Sequence, residues 1–325
     1  MEQEELNTIL RKHKLWLNDE EGGECADLSN KDLRDVDLVV HDLRKANLSN
    51  ADLRGADMFG INLRGANLRN ADLGNTDLVR ADLSDSDLSD SDLSNADLWE
   101  ANLRGANMSR ANLRGAKLYA ADLQMAVMSD ADLRLTNLSK ADLRGADLKL
   151  VNLSNADLSK ADLRGTNLNG ANLHGSDLCC TNLSKADLRG ADMERSDMRW
   201  ANLYSANLRG ANLSWANIRV VNLCEANLSD SDLVNANLHG ADLRGADLYG
   251  ANMGIVNLVN ANLRGADLRE ADLNWADLHG AKMSQEDMKV ASLTEEQRNS
   301  IVIVENPLPG GITRQTAGEQ EGVKT

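Results

Sequence analysis

Large aromatic side chains are scarce in this sequence: Phe, Trp and Tyr make up 3% of its 325 residues, and the single Phe stands at position 59. Proline occurs twice. A globular core of that size would need more bulk, so the interior must be filled in some other way. No stretch approaches the ~18–20 consecutive apolar residues of a membrane span. The start, Met1-Glu2-Gln3-Glu4-Glu5, is acidic and lacks the apolar run of a secretory signal. The four cysteines, Cys25, Cys179, Cys180 and Cys224, show neither a CxxC pair nor zinc-ligand spacing. These absences lead to the expectation of a cytoplasmic, free-thiol protein with no membrane segment, metal or cofactor.

Basic surface is also missing. The formal charge is −16. Residues 1–25 carry three Lys/Arg against seven Asp/Glu, and residues 286–325 carry four against seven, which leaves −9 for residues 26–285. Nothing there could bind nucleic acid directly by releasing counterions from phosphates. No nucleophile–base pair, phosphate loop or metal triad stands out either. His239 and His279 fall two coils apart in the frame derived below, roughly 10 Å at ordinary strand spacing, too far to share an ion.

What the chain does contain is one five-residue phrase, A(D/N)LXX, running without a break through residues 26–290 as fifty-three units. It opens at Ala26-Asp27-Leu28-Ser29-Asn30 and still reads in frame at Ala276-Asp277-Leu278-His279-Gly280. The third position is always Leu, Met or Ile, and the first is nearly always small. A period of five matches neither the 3.6 of a helix nor the 2.0 of a strand. It describes a solenoid, in which each layer buries its apolar residues against the next. Before it, residues 3–18 are predicted to form a helix, with Leu6, Ile9, Leu10, His13, Trp16 and Leu17 on one face. After it, Thr294-Glu295-Glu296-Gln297 is a capping box that opens a short helix.

These units resemble the pentapeptide-repeat family, whose motif is an apolar centre preceded by a small residue and Asp or Asn. The resemblance covers about four-fifths of the chain. It implies an all-β solenoid, a right-handed quadrilateral β-helix in which four units make one square coil of twenty residues. The first and third positions would face inward and the other three outward. Fifty-three units then give about thirteen coils, a rod of roughly 60 Å at ~4.8 Å per layer. The expected organisation is a capping helix and linker over 1–25, the β-helix over 26–290, a C-terminal cap over 291–306 and a disordered tail over 307–325.

The twenty-residue frame sorts the outward residues into columns. One face carries an arginine ladder at position 4: Arg44, Arg64, Arg104, Arg144, Arg164, Arg244 and Arg264. With Asp at position 2 of the same face it reads as a self-neutralising lattice, or as a strip for a carboxylate- or phosphate-bearing partner. The preceding face stacks Val39, Phe59, Val79, Trp99 and Tyr119 on successive coils, with Trp200 and Val220 further along at position 5. Trp215, Ile255 and Trp275 share a column at the adjoining corner. Exposed apolar columns either stiffen the sheet by cross-coil stacking or anchor a protein partner. Cys179 and Cys180 are expected to point different ways.

The favoured function is a rigid, non-enzymatic module that presents one long face to a protein partner of unknown identity. The apolar run Ile301-Val302-Ile303-Val304 would let two copies pair through the C-terminal cap. The alternative is DNA mimicry, because the family includes acidic quinolone-resistance members that occupy the DNA site of gyrase. Charge density opposes that alternative. A 60 Å duplex carries roughly 35 phosphates, against −9 for the repeat body.

Overall fold

A repeat of five residues must find partners for five backbone N–H groups, and this chain does so in the same way along its length. In the computed structural model, which describes residues 1–305, the unit Ala156–Lys160 is representative. The Ala156 N–H closes the corner onto the Leu153 carbonyl at 3.0 Å. The Asp157 N–H reaches back a coil to the Thr136 carbonyl (2.9 Å), while those of Leu158 and Lys160 reach forward to Asp177 (2.7 Å) and Cys179 (2.9 Å). The remaining N–H, of Ser159, donates to Oδ1 of Asp157 at 2.9 Å. That last bond is an Asx turn, and it gives the physical reason for Asp or Asn at position 2.

One residue per unit pairs across the coils. Parallel bridges join Asp27 to Asn47, Asn47 to Asn67 and so on at intervals of twenty, ending with Asn262 to Lys282. Four units therefore make one turn of the solenoid. Leu, Met and Ile at position 3 are buried from Leu28 to Met283, as are the Ala residues of position 1. Where Ser or Thr takes position 1 its hydroxyl is buried too, and it donates to the carbonyl three residues back, as Ser86 does to Leu83 (2.6 Å) and Thr136 to Leu133 (2.7 Å). The interior thus tolerates hydroxyls without an unpaired donor. Every corner residue at position 5 from Asn30 to Gly280 has positive φ, whether Gly or not; examples are Gly145 (+67°), Lys160 (+62°) and Trp275 (+62°).

Helix α1 (Gln3–Leu17) lies against the first coil with Leu6 and His13 buried and Ile9 and Leu10 packed on the core. The first coil is cut to fit it: position 1 holds Lys31, Val36 and His41 instead of Ala, and Lys31 pairs with Glu5 of α1 at 2.8 Å. The Ala26 N–H donates to Nδ1 of His13 (3.0 Å), whose ring stacks on Trp16. At the other end the frame runs on but the structure changes. Strand β1 (Lys282–Met283) pairs in parallel with β2 (Val302–Ile303), and between them lie α2 (Gln285–Val290) and α3 (Glu295–Ser300). The last in-frame unit, 286–290, is therefore helical. Its first residue, Glu286, is too large and charged for an inward site, and Ser284 and Asp287 form a capping box that starts a helix there. The expected box at Thr294 and Gln297 is present, and the Gln297 amide also donates to the Leu273 (2.8 Å) and Ala276 (3.2 Å) carbonyls. The apolar run at 301–304 is divided: Ile301 is buried, and Val302 and Ile303 are exposed. The tail expected to be disordered from 307 lies outside the described residues.

Two outcomes follow. Asp157→Ala removes the only acceptor of the Ser159 N–H and should cost about 1 kcal/mol, whereas Asp157→Asn keeps Oδ1 and should be near neutral; denaturant midpoints decide. His13 is held below its ordinary pKa, chiefly by burial. The unfolded chain therefore takes up the proton first as pH falls, and docking of α1 weakens progressively below about pH 6.5. The protection factor of the Ala26 amide, the ratio of its intrinsic to its observed exchange rate at each pH, should fall between pH 7.5 and 5.5, and His13→Asn, which keeps an acceptor but cannot titrate, should remove that fall.

Candidate protein-interaction surface

Positions 1, 2 and 3 are committed to the fold, so only positions 4 and 5 are free to vary in chemistry. The arginine ladder obeys a local rule. In every Asp-Leu-Arg or Asp-Met-Arg unit the guanidinium folds back onto the Asp two residues earlier, as in Arg44–Asp42 (2.8 Å), Arg144–Asp142 (2.6 Å), Arg164–Asp162 (2.6 Å) and Arg244–Asp242 (2.7 Å). When Asn replaces that Asp, the Arg turns to residue i+21 at the next coil's corner, if that is acidic: Arg64–Asp85 (3.2 Å), Arg69–Asp90 (3.4 Å) and Arg209–Asp230 (3.3 Å). Arg104 and Arg264 meet Met125 and Gln285 at that place instead. They bond to Gln124 (3.2 Å) and Asn262 (3.0 Å), with no carboxylate partner among the described residues. Of the seven predicted strip residues, five are thus neutralised within the protein. On other faces Asp132 and Asp187 are held below the usual carboxylate range, chiefly by hydrogen bonds from Arg134 and Arg189.

The aromatic column stands as the frame places it. Successive coils are linked through its residues, for example by the Arg80 N–H to the Trp99 carbonyl (2.9 Å) and the Glu100 N–H to the Tyr119 carbonyl (3.0 Å). Phe59 and Trp99 are 39% and 48% exposed, while Val39, Val79 and Tyr119 are half-buried between their neighbours. Trp99 and Tyr119 meet edge to face with centroids 5.9 Å apart, an arrangement that stabilises the pair. Lys140 closes the end of this run, its Nζ 5.0 Å from the Tyr119 ring centre and 2.6 Å from the hydroxyl.

The two corner columns that flank this face hold larger exposed groups. Trp200 (56%), Trp215 (57%), Val220 (48%), Ile255 (56%) and Trp275 (87%) all occupy position 5 with φ between +56° and +62°. Sequence reasoning passed over Val40, Met125, Leu135 and Leu150, which are similarly exposed at the same position. The frame locates them, but their significance depends on the sign of φ. A left-handed conformation costs a side-chain-bearing residue about 1–2 kcal/mol, most of all a β-branched one. The corners at Val40, Val220 and Ile255 therefore carry a strain that Gly or Asn would relieve.

Two expectations about polar groups change, and one backbone pattern is interrupted. Cys179 and Cys180 do not point apart: their sulfurs lie 3.6 Å from one another, and Cys179 is pushed up to about 11, first by burial and then by the neighbouring thiol. A metal-competent trio absent from the sequence reading, His174, Asp192 and Glu194, gathers on one face. The Asx bond is missing where position 2 is Lys117 or Val127, so the Tyr119 and Ser129 N–H groups have no hydrogen-bond acceptor among the described residues.

Comparison with known proteins bears on the fold. The family model for pentapeptide repeats (8 copies) matches in overlapping or adjoining windows from residue 24 to residue 285. Among solved structures, HetL, a pentapeptide repeat protein involved in heterocyst differentiation regulation from the cyanobacterium Nostoc sp. strain PCC 7120, is 36% identical. The match covers 76% of this chain and 90% of HetL, with a TM-score of 0.23. Rfr23 from the cyanobacterium Cyanothece 51142 is 30% identical over 38% of this chain and 88% of its own, TM-score 0.27. QnrB1, a plasmid-mediated fluoroquinolone resistance protein, is 19% identical over 58% of this chain and 93% of its own, TM-score 0.27. No curated protein matches the chain.

If the corner residues are strained and are not needed for packing, Ile255→Asn should leave the fold intact and raise stability by up to about 1 kcal/mol. A fall of that size in the denaturant midpoint energy would instead mean that the Ile255 side chain packs on its neighbours.

Proposed function

The chain belongs to the pentapeptide repeat family, and from that premise we propose that it is a rigid, non-enzymatic interaction module. In this reading it is a right-handed quadrilateral β-helix of about thirteen coils closed at both ends, presenting an apolar face and corner to a protein partner. The observation that carries the reading is the placing of large, exposed apolar side chains at left-handed corners. Gly, Asn or Asp serve the same corners elsewhere with less strain, so folding alone gives no reason for Trp200, Trp215, Ile255 or Trp275. Aromatic and aliphatic anchors of this kind are what a partner's surface buries at the centre of an interface. Val39, Phe59, Val79, Trp99 and Tyr119 extend the same surface toward the amino-terminal end. The arginine strip is secondary here, since most of its charge is already paired. Cytoplasmic location belongs to this reading and is supported by four unpaired cysteines.

Mimicry of DNA toward a topoisomerase such as gyrase is the second reading. It is favoured by the rod-like repeat and the net charge of −16. The internal Asp–Arg pairs weigh against it, because they remove free negative charge from faces that would have to imitate phosphates.

The deciding experiment compares wild type with the triple replacement of Phe59, Trp99 and Tyr119 by Ser. Proteins crosslinked to the wild-type rod in lysate should be lost with the triple variant and retained with Arg44→Gln. Unchanged crosslinking by the triple variant would reduce the aromatic column to sheet packing. Inhibition of gyrase supercoiling at low micromolar protein, weakening as salt rises, would transfer the assignment to mimicry.

A further inference from the structure

We propose that His174, Asp192 and Glu194 form a binding site for a first-row divalent transition ion, with zinc as the test case. One ligand atom from each of the three lies within 4.8 Å of the others, and all three side chains are half-buried. Nδ1 of His174 stands 3.8 Å from Oε2 of Glu194.

The charge pattern of the repeat singles this place out. Position 4 is where the chain puts the Arg that neutralises the Asp of position 2. Only in Asp192-Met193-Glu194, among fifty-three units, is that position acidic. Two carboxylates of one strand thus face outward together, and the nearby coils of the column offer no Arg to offset them: beyond His174 they hold Ser154 below and Ser214 and Val234 above. His174 lies one coil before Glu194 in the same column, and its ring has no hydrogen bond among the described residues. The carboxylates are also oriented for the task. Oδ1 of Asp192 accepts from the Glu194 N–H (3.1 Å) and from the Asn212 amide (3.0 Å), which leaves Oδ2 with no hydrogen bond among the described residues. Arg195 approaches Oε1 of Glu194 (3.6 Å), on the other side of that carboxylate from Oε2. Such outer hydrogen bonds fix the direction of metal ligands.

One imidazole nitrogen and two carboxylate oxygens, with water completing the shell, suit zinc and its neighbours. Calcium and magnesium favour all-oxygen shells with more protein or water oxygens than two carboxylates supply. An ion here would tie residues 171–175 to residues 191–195, linking adjacent coils.

The test is cobalt and zinc titration of the full chain after chelator treatment, read by calorimetry and by the cobalt visible spectrum. One zinc per chain should bind, with cobalt displaced by zinc and unaffected by excess magnesium. His174→Ala and Glu194→Gln should each weaken binding at least tenfold without altering the circular dichroism spectrum, while His239→Ala leaves it unchanged. Zinc should also raise the melting temperature of the wild type and not of His174→Ala. The thiols at Cys179 and Cys180 are the rival site, so Cys179→Ser/Cys180→Ser must retain full binding. Loss of binding in that double variant, binding indifferent to His174→Ala, or no binding at 100-fold excess of roughly micromolar zinc would each overturn the proposal.

Discussion

Everything in this molecule rests on the hydrogen bond from the position 4 N–H to the side chain two residues before it. Three of the five N–H groups in each unit cross between coils and one closes the corner. The fifth points to no backbone carbonyl, so without Asp or Asn at position 2 it would be left unpaired, and an unpaired backbone donor costs as much as a lost hydrogen bond. This requirement fills the chain with Asp and Asn for reasons of folding. It follows that acidity, which looks at first like a functional property, is largely a by-product of turn chemistry.

The second carboxylate oxygen of each Asp is what remains to be used. Where the unit continues with Arg, that oxygen is taken by the guanidinium, and the pair closes on itself. Where Asn stands in place of Asp, the Arg is released to the next corner, as Arg64, Arg69 and Arg209 are. Exposed pairs of this kind contribute little individually to stability. Their effect is to leave a surface of low free charge, on which the few departures become conspicuous: the Asp192–Glu194 unit, Arg104 and Arg264 with no carboxylate partner among the described residues, and the apolar corners.

Much of this was legible before any coordinates. The five-residue period set the inward Leu columns, the twenty-residue frame put Phe59 above Val39 and Trp99 below Tyr119, and the Thr294–Gln297 box marked α3. The misses have physical causes. Residues 286–290 continue the frame in letters, but Glu286 could not be buried and the Ser284–Asp287 box offered a helix instead. Cys179 and Cys180 face each other because the left-handed corner swings the position 5 side chain back over its neighbour, a turn that a flat count of inward and outward positions does not contain. His174 and Glu194 share a column in the frame, so their meeting was recoverable. What hides it is the repeat itself, in which Asp is so common that one more carboxylate carries no signal. The left-handed φ of the corners is likewise not written in the repeat's letters, since every corner from Asn30 to Gly280 adopts it, whether or not Gly stands there.

That last point bears on where specificity can reside. With three positions in five dictated by backbone pairing and core packing, a solenoid of this type can distinguish itself from others only through positions 4 and 5. Position 4 tolerates most side chains, so its contents say little singly. Position 5 is demanding, and the repeat's own solution is Gly, Asn or Asp, which accept left-handed φ readily. A Val, Ile, Leu or Trp there works against the local preference and exposes apolar area as well, two costs with no return inside the fold. Natural sequences depart from local consistency mainly where function requires it. If the rod is the interaction module proposed above, the corner bearing Trp215, Ile255 and Trp275 is therefore a better guide to its binding face than the arginine ladder, although the ladder is the more regular feature of the sequence.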